Sequence, residues 1–170
     1  MDVDDLVVLF DYMYWVNRRL LERAGQLSPE GFAAPTTVTT RGLRTTLVHE
    51  LDVEWSWRLN LQGRVSDDDA ELEPDQFPDV SSLADRWRQD EAEMREWPSS
   101  LTSEQLAADV PSTFTREVRP LWQFLLHMTT HAAQQQADAA TLLSLAGQSP
   151  GELSFLEYLA AKGGRRELTF

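Results

Sequence analysis

The amino-acid sequence predicts an all-α fold: a four-helix bundle with a long crossover between its second and third helices and a short helix near the C-terminus. Three observations carry this. Apolar residues recur at threes and fours through four long stretches, Gly and Pro gather between those stretches, and no long run alternates with the period of two that a half-buried strand requires. At 170 residues and 42% hydrophobic, the chain can bury a full core as one domain spanning 1–170, without disulfides or a metal to hold it folded.

The first helix is predicted over Asp4 to Gln26, where Leu6, Leu9, Phe10, Met13, Val16, Leu20 and Ala24 share a face and no Gly or Pro intervenes before Gly25. Ser28 and Pro29 then read as a short turn with a capped start. A second helix is predicted from Arg41 to about Leu61, with Leu47, Leu51, Trp55 and Leu59 four apart and Gly63 as its stop. The third runs from Ser81 to Glu96 on Leu83, Trp87 and Met94, and is expected to end at Trp97, because a residue before proline is pushed out of helical geometry. From Ser99 to Pro120 the pattern breaks into one short capped helix and a short extended piece, "STFTREV". The fourth helix is predicted from Pro120, favourable in a first turn, to about Ala146, with Gly147 as its stop. A terminal helix follows, with Ser149 expected as N-cap, Pro150 at its first position and Glu152 closing a capping box.

Charge narrows the functional classes. Formal net charge is -13, from 28 acids against 15 bases, which repels nucleic acid and anionic membrane surfaces alike. Seven of the acids fall between Asp67 and Asp79 with no base among them, the composition of a solvated connection. The acidic start "MDVDDLVVLF" lacks the basic segment of a secretion signal, and no stretch offers the eighteen or more apolar residues of a membrane span, so a soluble, cytoplasmic protein is expected. There is no cysteine, which removes cysteine nucleophiles and cysteine-based metal sites.

The chain has three histidines, all within predicted long helices. His127 and His131, in "LLHMTTHAAQQQAD", are four apart, so one helical face presents both to a common point, within reach of a shared metal at about 2.1 Å. A third ligand has to come from another helix, and His49 is the remaining histidine. His49 lies on a polar stripe with Thr45, Asp52 and Ser56. His127 and His131 lie on another with Gln134 or Gln135 and Asp138, and apolar residues border both, as around a polar pocket in an apolar bundle. "HMTTH" has Met128 where a zincin protease needs Glu, and the paired Glu-x-x-His motifs of di-iron bundles are absent.

The opening "LFDYMYWVNRRLLE", the second-helix "TLVHELDVEWSWRLNL", the long "LWQFLLHMTTHAAQQQADAATLLSLAGQSP" and the closing "GELSFLEYL" together resemble the DinB family, whose DinB/YfiT-like members are helical metalloproteins. The resemblance covers nearly the whole chain. It implies a divalent metal held by His49, His127 and His131 with coordination positions left for water or substrate, a four-helix bundle with a long crossover, and often a homodimer. It also implies chemistry with a low-molecular-weight thiol, since relatives include thiol-dependent transferases and maleylpyruvate isomerases. Where family members commonly carry a run resembling "HHRGQ", this chain reads "QQQAD", Gln134 to Asp138, outside the primary ligands.

Three neutral imidazoles leave a divalent ion with an open position, the pattern of a catalytic site. The leading expectation is a transferase in which a bound small thiol, absent from the protein itself, attacks a small-molecule electrophile. Metal-assisted hydrolysis, or a non-catalytic stress-response bundle with a structural or vestigial metal, are the alternatives. Asp52, three residues past His49, reads as a base or ligand-orienting group, or else as a solvated carboxylate. Gln135, one turn past His131, reads as support for that ring or as a surface amide. Zinc, nickel, iron and copper all suit imidazole ligands.

Overall fold

A computed structural model describes residues 2–64 and 71–163. Among these, seven α-helices and one two-stranded hairpin follow in the order α1 (Val3–Ala24), α2 (Pro29–Phe32), α3 (Leu43–Leu61), α4 (Val80–Ser100), α5 (Ser103–Ala107), β1 (Asp109–Ser112), β2 (Glu117–Pro120), α6 (Leu121–Leu145) and α7 (Phe155–Ala161). The four long helices are those the apolar periodicity predicts. α1 starts at a capping box in which Asp2 and Asp5 each accept the other's backbone N–H. α3 and α6 stop where the chain enters the left-handed region at Gly63 (φ +66) and Gly147 (φ +76), a conformation glycine adopts without steric cost.

α6 packs along both α1 and α3, α4 packs chiefly on α1 and more lightly on α3, so α1 and α3 face each other across the bundle axis. The core is the sum of their inward stripes: Leu6, Phe10, Met13 and Leu20 from α1, Leu47 and Leu51 from α3, Leu83, Trp87 and Met94 from α4, and Leu125, Met128, Ala139 and Leu143 from α6. The connection expected as the long crossover joins α3 to α4 between Leu61 and Val80. The acidic stretch predicted over 67–79 lies outside the described residues up to position 70; from Glu71 onward it folds onto α3 as a short 3₁₀ turn at Pro74–Gln76, tied by a Leu72 N–H that donates to Asp52 at 2.8 Å and by an Arg44–Asp75 ion pair at 2.9 Å.

Three local predictions are corrected. α4 runs through Trp97 and Pro98 to Ser100. Proline removes one hydrogen bond there, but Pro98 is buried and Trp97 packs against the core, so tertiary contact outweighs the local preference. The extended piece expected at Ser112 to Val118 is extended only at its ends, Ser112 and Glu117–Val118, which belong to the two strands of a hairpin pairing Asp109 with Pro120 and Ser112 with Glu117; its middle, 113–116, is the turn, where Arg116 takes φ +58. The terminal helix begins five residues later than predicted, at Phe155 in place of Pro150. Its N-cap is Ser154, which accepts from Glu157 N–H, while Ser149 accepts from Gly151 N–H in a bend. Both serines precede a Glu by three, but Gly151 sits at φ +77, and the Pro150 carbonyl is held by Arg19 at 2.9 Å, so the first of the two capping sequences cannot propagate a helix.

Candidate metal centre

α3 and α6 pack side by side, and this brings His49 together with His127 and His131. The ring centres of His49 and His131 are 5.3 Å apart with planes at 74°, and those of His127 and His131 are 6.1 Å apart. Two imidazoles sharing one ion at about 2.1 Å have their ring centres roughly 5 Å apart. The first pair thus stands near that spacing and the second about 1 Å beyond it. Among the described residues, no group of three or more His, Asp or Glu side chains is yet drawn in closely enough to hold an ion. His127 is exposed on α6, and His49 and His131 are half-buried.

The donor chemistry fits a divalent ion. Burial lowers the pKa of His49, with the nearby Arg41 guanidinium adding to it, and holds His131 at about 4, where the neighbouring His49 and His127 act in the same direction. A neutral ring keeps a lone pair for a metal at physiological pH. Two positive rings side by side would repel, so the arrangement itself disfavours protonation.

Beside His49 lies a cavity of about 380 Å³ walled by Val53, Trp55, Trp57 and Phe114 and bearing Asp52, Ser56 and Glu71 as polar groups. Trp57 links the parts: its ring meets His127 at 5.2 Å, Phe124 at 5.5 Å and Phe114 at 5.4 Å, the last coming from the hairpin turn. An Asn60–Thr113 side-chain hydrogen bond fastens that turn to α3. Asp52 is half-buried in the cavity wall; desolvation raises its pKa, and the Leu72 N–H opposes this. It therefore tethers the crossover as well as facing the cavity. Gln135 is buried on α6 four residues past His131, away from the residues that wall the cavity.

A second polar cluster on the same two helices escaped the sequence reading. At the bundle centre each long helix contributes one or more polar groups: Asn17 from α1, Glu50 and Glu54 from α3, Trp87 from α4 and Gln136 from α6. Gln136 Nε2 lies within donating distance of the Met13 carbonyl (3.2 Å), Asn17 Oδ1 (2.6 Å) and Glu50 Oε1 (3.1 Å). Asn17 Nδ2 and Trp87 Nε1 donate to the two oxygens of Glu54, each at 3.3 Å. Burial pushes the Glu50 carboxyl up to about 8 and raises Glu54 well above the usual carboxylate range, the latter also because Glu50 and Asp90 are close. The readable signal was positional: spacing of four and three from Leu43 and Leu47 lands on Glu50 and Glu54, core slots filled by acids.

The DinB family matches residues 1–167 of the chain. No curated protein matches it.

Proposed function

The chain belongs to the DinB family, and from that premise and the three clustered imidazoles we propose that it binds one divalent ion, zinc, nickel or iron, through His49, His127 and His131 and acts as a metal-dependent transferase with a low-molecular-weight thiol. The observation that carries the reading is the meeting of three imidazoles from two helices, two of them disfavoured for protonation, at the edge of an aromatic cavity. When bound there, the ion supplies a Lewis-acid centre that favours the thiolate form of a small thiol.

The protein's own residues do the remainder. Trp57 packs against His127 and limits the directions that ring can take. Val53, Trp57 and Phe114 supply an apolar wall that displaces water from a small electrophile. Asp52 stands in the same wall, and its raised pKa suits it to take the thiol proton as the new sulfur–carbon bond forms and the leaving group departs with its electron pair. Gln135, one turn past His131, is assigned as the supporting amide for that ring. The reading includes a homodimer, for which exposed Leu145, Phe155 and Leu156 offer apolar surface.

Elemental analysis of untagged protein beside a His127→Ala variant is the test, followed by turnover with glutathione or N-acetylcysteine as probe thiols and an aryl halide. One metal per chain, lost in the variant, with thiol consumption that follows the metal is the expected result. Absence of metal after incubation with zinc, nickel or iron would refute the site, and full occupancy without thiol turnover would leave a non-catalytic metal-binding bundle.

A further inference from the structure

Beside the His49 cavity is a second hollow of about 350 Å³ between α3 and α4. It shares Trp55 and Leu59 with the first, so the two hollows adjoin at these side chains. Its chemistry is different. Arg58, Arg64 and Arg86 line it together with Asp90 and Glu93, an excess of one positive charge in a chain whose formal net charge is -13.

The three guanidiniums are held in graded fashion. Arg58 is 2% exposed and is paired with Asp90, itself 1% exposed, which fixes it in place. Its other terminal nitrogen donates to Glu93 at 2.6 Å, and Arg64 stands 3.7 Å from that same Glu93 oxygen. Glu93 differs from Asp90 in being 55% exposed, so of the two partners of Arg58 it is the one an incoming anion can replace, taking over the hydrogen bond that the buried guanidinium would otherwise lose. Arg86 lies 5.2 Å from the centre of the Trp55 ring, which sets its planar fork against that shared side chain. A carboxylate thus occupies an arginine fork at the mouth of a walled hollow, which adjoins the candidate reaction cavity at Trp55 and Leu59.

We propose that this hollow is the subsite for the anionic end of the substrate: a small oxyanion, carboxylate or phosphate ester, carried on an apolar or aromatic body that packs along Trp55 toward His49. Glu93 fills the fork in the free protein and yields it to the ligand. The inference rests on the proposed function for what happens at the His49 end, whereas the anion subsite stands on the arginines alone.

The test is calorimetric titration of the full chain, without metal or thiol, using phenylpropionate, its uncharged counterpart phenylpropanol, and phenyl phosphate. Phenylpropionate is expected to bind about tenfold more tightly than the alcohol, the increment of a charge-assisted hydrogen bond, and to lose that margin in Arg64→Gln, which removes the exposed arm of the fork. Glu93→Gln is expected to tighten anion binding severalfold, which a purely structural ion pair would not do. Tighter binding of phenyl phosphate than of phenylpropionate would assign the natural group as a phosphate ester, and the reverse order as a carboxylate. Equal affinity for acid and alcohol, or weaker binding in Glu93→Gln at unchanged thermal midpoint, would overturn the subsite. Since no turnover enters the titration, a failure of the metal or thiol chemistry leaves this result readable.

Discussion

Two faces of the same helix pair carry opposite polar designs. On one, His49, His127 and His131 sit at the edge of a cavity, half-buried or exposed, with rings that face one another. On the other, a single residue or one turn away, Glu50, Glu54 and Gln136 are 5% exposed or less and enclosed by groups from all four long helices. The closed cluster has hydrogen bonds that tie α6 to α1 and α3 at once, and buried polar groups of this kind penalise any packing that leaves them unpaired. The open cluster has few internal hydrogen bonds and can rearrange around a ligand. Rigidity on one face therefore holds the helices in the register at which the histidines meet on the other.

The strongest way to break this comparison is His131→Ala, which removes the ring that neighbours both others. Metal affinity, read by competition with a chromophoric chelator, should fall by more than the roughly 10–100-fold that supporting partners contribute, while the circular dichroism of the bundle stays unchanged. Gln136→Leu attacks the closed face instead. It leaves Asn17 and Glu50 without their shared donor, and urea unfolding should show a loss of about 2–4 kcal/mol, with metal affinity reduced through altered helix register. If Gln136→Leu lowered neither stability nor affinity, the closed cluster would have no part in setting the open one.

The pH dependence sharpens the contrast. Glu54 has a folded-state pKa well above its ordinary 4.5, chiefly from desolvation, so the folded chain retains a proton that the unfolded chain has released. Its contribution is therefore fully present below about pH 4.5 and is lost as the pH rises toward the folded-state value, with a slope of up to about 1.4 kcal/mol per pH unit. Glu54→Gln should flatten part of that decline in unfolding curves taken between pH 5 and 8, roughly the range in which an ordinary carboxyl is already ionised. An unchanged slope would mean that Glu54 is ionised in the folded protein. The smallest effect is expected on the open face: Asp52→Ala removes the acceptor for Leu72 N–H and should cost about 1 kcal/mol, with any larger change confined to turnover.

The two faces were unequally legible in the sequence. The histidine face could be read because helical spacing alone aligns His127 with His131, and with three histidines in the chain the partner was limited to His49. On the carboxylate face the spacing of α3 places Glu50 and Glu54 at core positions, but what makes acids tolerable there was not legible, because their partners lie on other helices: Asn17 and Trp87 are more than thirty residues from Glu54. The same distinction explains the helix ends. Gly63 and Gly147 stop helices by local backbone geometry and were predicted, whereas Pro98 stays helical because its surroundings bury it, and Ser149 fails as a cap because Gly151 and Arg19 hold the chain in a bend.

By itself the sequence determined the four long helices, the long connection between the second and third, the absence of thiol chemistry from the protein's own side chains and the two helices that bear the histidines. These follow from a period of 3.6 and from composition, both local properties. Only the tertiary structure decided that Trp57 and Phe114 wall the cavity, that it adjoins an arginine-lined hollow at Trp55 and Leu59, and that four helices pool their polar groups at the bundle axis. Periodicity specifies which side of a helix faces inward; which residue it meets there depends on the rotation and shift of one packed helix against another, and that is settled by the whole core at once.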